Sequence, residues 1–143
     1  MRIGRGQTRA FIAGIRAVTT GANDAIPVVI DSTGQLGTVS SSARTKHDIA
    51  DLPADVGARL QQLRPVQFRY NQAFANGEQP LQYGLIAEEV EQVLPELVAM
   101  GKDGAPETVK YHVLPSLLLA EVQRLSREVA ELRALLAAER AKQ

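Results

Sequence analysis

"LPSLLLAEVQRLSREVAELRALL", residues 114–136, is the stretch from which the architecture of the chain is read. Leu118, Val122, Leu125, Val129, Leu132 and Leu136 follow one another at intervals of four, three, four, three and four. That is a heptad seam, with Val122, Val129 and Leu136 at a and Leu118, Leu125 and Leu132 at d. A helix packed only on its own domain would carry a wider stripe with a period of 3.6 residues. The 3.5 spacing instead predicts a C-terminal coiled-coil helix, residues 114–143, that associates with copies of itself. Glu128 at g and Arg133 at e are placed to pair between chains. About three heptads make a short coiled coil, so its stability is expected to depend on the domain before it.

Upstream of the helix the texture is α+β. "DLPADVGARLQQL" (51–63) sets Val56, Leu60 and Leu63 at helical spacing behind Pro53. "PVQFRY" (65–70) alternates Val66, Phe68 and Tyr70, the period of a half-buried strand. "NGEQP" is a loop, and "LQYGLI" (81–86) is a second strand. "AEEVEQVLPEL" (87–97) puts Val90, Val93, Leu94 and Leu97 on one helical face, with Glu88 and Glu89 in the first turn, where carboxylates suit the helix dipole. Asp103-Gly104 makes a turn before a strand reaching "YHV", so His112 belongs to a strand or an interface.

Composition shifts near residue 40. Residues 1–40 hold no lysine, two acids (Asp24, Asp31) and six of the eleven glycines. Short β-rich runs, "AFIAGI" (10–15) and "IPVVID" (26–31), are separated by turn-like "TTGAND" and followed by "DSTGQ". This part has too little apolar mass to fold alone and reads as the end of a β-rich, intertwined stalk. Three segments result: the stalk end, 1–40; a small mixed α+β domain, 41–113; and the helix, 114–143.

Sixteen basic and sixteen acidic residues balance to zero net charge. A nucleic-acid binder needs a basic footprint to release phosphate counterions, so no nucleic-acid partner is expected. The absence of cysteine removes disulfides, thiol catalysis and cysteine zinc sites. Two histidines, His47 and His112, make no metal motif, and no cofactor is implied. No apolar run approaches the ~18 residues of a spanning helix. Arg2, Arg5, Arg9 and Arg16 punctuate the N-terminal stretch, and Arg16 interrupts the apolar run a signal peptide would need. The chain reads as soluble, with no membrane partner.

"SSSARTKHDI" (40–49) carries the candidate chemistry: three serines, then a lysine within a few positions. A serine-rich run between apolar segments is ordinarily a solvated loop. Any of the three hydroxyls is a possible nucleophile on chemistry alone.

"SSARTKHDI", "LRPVQFRYN", "QYGLIAEEVEQVLPELV" and "DGAPETVKYHVLPSLLLAEVQRL", in that order and spacing, resemble the intramolecular chaperone auto-processing domain. This is a peptidase family found at the ends of bacteriophage tail spikes, tail fibres and endosialidases, and in a membrane-bound animal transcription factor. The likeness spans roughly residues 41–135, and "IPVVIDSTGQLGTVSSS" also resembles the end of the trimeric stalks that carry such domains. It implies a homotrimer and a serine with a lysine five residues on, here Ser41 and Lys46. It also implies self-cleavage of the Ser40–Ser41 bond. Arg44 matches the pattern as a supporting cation. The chain departs from it in four places: Ser42 stands for the usual Asp, Thr45 for an apolar residue, His47-Asp48 for Glu-Asn, and Gln82-Tyr83 where many members have a histidine.

A serine hydroxyl needs a base, and lysine serves as one only when neutral, which burial or a neighbouring cation promotes. Arg44 and the walls of a trimer interface would meet that need, so cleavage is expected to follow assembly. The resemblance thus implies a single-turnover endopeptidase that chaperones its own upstream β-stalk and then releases itself. The alternative is a permanent, non-cleaving trimerisation cap. Either would be made in a bacterial cytoplasm, its client destined for a virion tail or a cell surface.

Overall fold

The computed structural model describes residues 7–142, so Arg2 and Arg5 lie outside the described residues. The chain divides between Thr45 and Lys46 into two units.

The first unit contains a minimal antiparallel pair, β1 (Val29–Ile30) and β2 (Leu36–Gly37), with Val29 opposite Gly37 and Ile30 opposite Leu36. The "DSTGQ" turn that closes it is organised by Asp31. One carboxylate oxygen accepts the Thr33 hydroxyl at 2.7 Å and the Thr33 and Gln35 backbone N–H groups at 2.9 and 3.0 Å. These bonds, the Thr33 hydroxyl first, hold the Asp31 carboxyl below its ordinary value. Gly34 takes the left-handed conformation (φ +85°) that the turn needs and that glycine adopts without strain. "AFIAGI" is not a strand, because the chain turns at Ala13-Gly14. None of residues 7–45 is buried, in keeping with their small apolar mass.

The second unit runs α1 (Val56–Leu60), β3 (Val66–Phe68), β4 (Gln82–Gly84), α2 (Ala87–Val93), β5 (Val98–Met100), β6 (Pro106–Val109) and α3 (Leu114–Arg140). β3 pairs with β4 and β5 with β6, both antiparallel, giving two separate two-stranded sheets. Such ribbons are marginal alone and need an apolar face to pack on. The β5–β6 ribbon shares one small core with the helices: Val56, Leu60, Val90, Leu94, Leu97, Val98, Val109 and Leu117. Each side chain so buried contributes about 1.5–3 kcal/mol relative to exposure. The fold is α+β with a long C-terminal helix, as the sequence implies.

Three local readings differ. The helix expected over 87–97 stops at Val93, because Pro95 has no N–H to donate and its ring crowds the preceding turn. Leu94 leaves helical geometry (φ −139°, ψ 68°), yet it and Leu97 remain fully buried, Leu97 through a 3₁₀ turn over Pro95–Leu97. Val98–Met100 then forms a strand, because only β6 offers its backbone groups partners. His112 lies in an exposed turn between β6 and α3, not in a strand.

Candidate active site and assembly face

After β2 the backbone carries no regular structure until a single 3₁₀ turn, Ala43–Thr45. Hydroxyl side chains build that turn, since short polar side chains readily bond nearby backbone. The Ser42 carbonyl accepts from both the N–H and the hydroxyl of Thr45, at 3.0 and 2.9 Å. Ser42 Oγ accepts from Arg44 twice, from its backbone N–H and from Nε, each at 3.3 Å. Ser40 Oγ lies 3.0 Å from Thr45 Oγ1. Ser40, Ser41, Arg44 and Lys46 are exposed, and Ser42 is half-buried. In this turn the Arg44 guanidinium faces Ser42. Lys46 opens the second unit, followed by His47, whose Nδ1 lies 2.8 Å from Asp48 Oδ2 with both side chains in solvent. Asp48 has φ +53°, a left-handed conformation that Asp tolerates better than most residues.

Two stripes run along α3. Leu114, Leu117, Glu121 and Arg124 face the unit's own core and α1. At 100° per residue the a/d stripe is centred about 80° away around the helix. All six seam residues, Leu118, Val122, Leu125, Val129, Leu132 and Leu136, are between 41% and 59% exposed in the single chain. From Leu125 to Arg140 every residue is exposed, so roughly 24 Å of helix has no support from its own chain. A helix polar on all sides would tolerate that, but one carrying a row of leucines and valines leaves its seam to be covered.

The inner stripe is fastened by a polar clasp. Glu121 is only 7% exposed. Its carboxylate accepts Gln61 Nε2 from α1 at 2.6 Å and two guanidinium nitrogens of Arg124 at 2.8 and 2.9 Å. Arg124 first, then Gln61, hold that carboxyl down to about 2, against the opposing effect of desolvation, and Glu121 in turn raises the Arg124 guanidinium. Glu128, placed for pairing between chains, accepts Arg124 within its own helix at 3.0 Å. The close approach of α1 needs Gly57, where a Cβ would stand 2.0 Å from Glu121 Oε2. A second close contact sits at the end of β4. Tyr111 Oη accepts the Leu85 N–H at 2.8 Å and occupies the space a Cβ on Gly84 would need.

Residues 41–99 match the family described as chaperone of endosialidase, which is classed among the peptidases. The match supports a chaperone-of-endosialidase domain over those residues. The match begins at Ser41 and takes in the 3₁₀ turn, α1, β3, β4 and α2. No curated protein matches the chain. The matched range therefore begins at the serine that the register of the resemblance selects.

The residues sequence reasoning did not single out are the partners in these contacts. Thr45 appears in the sequence only as a departure from a pattern, and nothing in its spacing from Ser40 marks a bond. Gly57 and Gln61 lie 64 and 60 residues from Glu121 and meet it only because α1 packs on α3.

Proposed function

We propose that this protein is a C-terminal intramolecular chaperone that trimerises, nucleates the folding of an upstream β-stalk, and then cuts itself free between Ser40 and Ser41. The match to the chaperone family supports the chaperone role. The observation that carries the cleavage reading is that the family match opens at Ser41, with Lys46 five residues on in the sequence.

In the proposed reaction Ser41 Oγ attacks the Ser40 carbonyl carbon while neutral Lys46 takes the hydroxyl proton. The Oγ–C bond forms, the C–N bond to Ser41 breaks, and Lys46 returns the proton to the departing amine. Water then hydrolyses the ester, leaving a carboxylate on Ser40 and restoring the Ser41 hydroxyl. Lys46 is exposed in the single chain, without the burial a lysine base requires. Assembly through the exposed α3 seam would supply it, so cutting waits for trimer formation. That same exposure favours one other reading, a permanent cap whose dyad stays silent. The client, made with the chaperone in a bacterial cytoplasm, is destined for a virion tail or a cell surface.

Mass spectrometry of freshly expressed full-length protein tests the proposal. Fragments ending at Ser40 and beginning at Ser41 are expected; an assembled trimer that stays whole would establish the cap instead.

A further inference from the structure

The hydroxyls around the candidate scissile bond form a closed loop, and their hydrogens can be accounted for. Thr45 has a single hydroxyl hydrogen, and it goes to the Ser42 carbonyl at 2.9 Å. The oxygen of Thr45 is then left to accept from Ser40 Oγ, 3.0 Å away. The Thr45 N–H also goes to the Ser42 carbonyl, at 3.0 Å. Ser40, on the acyl side of the bond, is thereby tied to the residue that directly precedes Lys46. The Ser40–Ser41 peptide and Ser41 itself lie inside the resulting ring. Ser42 Oγ holds Arg44 from two directions within the same ring.

We infer that the Ser40–Thr45 hydroxyl pair is a positioning brace for self-cleavage, with Ser40 and Thr45 acting as positioning residues and neither taking part in covalent chemistry. The inference rests on the Ser41–Lys46 reading above and adds to it the elements that orient the acyl group. Attack on the Ser40 carbonyl requires that carbon to be presented to Ser41 Oγ in a narrow range of directions. A loop that samples many conformations rarely does so, whereas a ring closed on both sides of the bond restricts the search. The Ser40 Oγ bond does not involve the peptide group that is broken, so it persists while the acyl group moves from nitrogen to oxygen. Thr45, a departure from the apolar residue usual at that place, has a use here that an apolar side chain would not have.

The test is the first-order rate of cleavage in full-length protein, followed by intact mass after assembly, in four variants. Thr45→Val keeps shape and removes the hydroxyl. Ser40→Ala removes the other half of the brace alone. Thr45→Ser restores a hydroxyl, and Ser40→Ala/Thr45→Val removes both partners. Each single loss is expected to slow cutting by roughly 3- to 10-fold, the worth of one net hydrogen bond. Thr45→Ser should cut close to the wild-type rate. The double variant should be no slower than Thr45→Val alone, because that change already removes the partner of Ser40 Oγ. The trimer mass and melting temperature should not move, which separates positioning from a general structural role. Wild-type rates in Thr45→Val would overturn the brace. So would a double variant whose defect is the product of the single ones, or slowing by Thr45→Val with none by Ser40→Ala. In those cases wild type still cuts and the Ser41–Lys46 reading stands. A wild type that assembles but stays whole would remove both.

Discussion

At the residue scale, the roles of Ser41 and Lys46 separate by what each substitution removes. Ser41→Ala deletes the proposed nucleophile and should leave the product whole by mass spectrometry. Lys46→Ala deletes the proposed base and should slow cutting by at least about a hundredfold, the lower end of what a positioned base contributes. Lys46→Arg should fail equally, because a guanidinium keeps its proton and cannot accept another. Ser41→Cys should retain partial activity, since a thiol ionises more readily than a hydroxyl. Assembly should survive all four. Normal cutting in Ser41→Ala together with a whole Ser42→Ala product would shift the register by one residue. Serine and lysine types were legible from "SSSARTKHDI" itself. Which serine acts was not, because three adjacent hydroxyls have the same chemistry and only the family register distinguishes them.

At the element scale, the clasp between α1 and α3 has a defined pH dependence. The Glu121 carboxyl is lowered from an ordinary 4.5 to about 2 in the folded chain. A depressed carboxyl contributes stability that is fully present above its unfolded value and is lost as pH falls through the folded one. The contribution should therefore fade between pH 4.5 and about 2. Glu121→Gln should melt lower than wild type at pH 7, and the difference should close on acidification to pH 3 and below. A constant difference across that range would show that the charge on Glu121 does not fasten the two helices. Gly57→Ala should lower the melting temperature by several degrees at neutral pH. Its Cβ falls 2.0 Å from Glu121 Oε2, and Gln61 and Arg124 keep that carboxylate from moving aside. Circular dichroism melts measure both variants. Tyr111→Phe tests the second close contact. It would leave the Leu85 N–H without its partner, at about 1 kcal/mol, less than a fully buried group because Tyr111 is half-exposed.

At the scale of the whole molecule, the proposed trimer rests on the seam. Light scattering at micromolar concentration should give the mass of three chains. Val at a with Leu at d does not by itself choose between two and three strands, so a dimer mass would leave the coiled coil standing and remove the trimer. Leu125→Asp or Val129→Asp would put an unpaired carboxylate from every chain into the seam, a heavy desolvation cost with no partner to offset it. Either variant should run as a monomer and, if cutting depends on assembly, should remain whole. A monomeric variant that cut at the wild-type rate would separate cleavage from association. Both side chains are exposed in the single chain, so neither substitution should unfold the domain beneath.

The sequence by itself determined the long helix and its free seam, because a heptad is a one-dimensional pattern in which each residue's face follows from its number. It also determined α1, β3, β4 and the start of α2, where apolar spacing and first-turn acids agree, and the α+β class that follows from them. It did not reveal where α2 ends: Leu94 and Leu97 continue the apolar face past Pro95, and burial alone does not distinguish a helix from the 3₁₀ turn that replaces it. β5 was invisible for a related reason, since three residues become a strand only when another strand supplies hydrogen-bond partners. Gly57 against Glu121, and Tyr111 over Gly84, belong to the tertiary structure alone, being contacts between residues 64 and 27 positions apart whose fit depends on how helices and ribbons close on the core. The Ser40–Thr45 bond is local in sequence yet equally hidden, because hydroxyls five residues apart meet only once the backbone between them has turned.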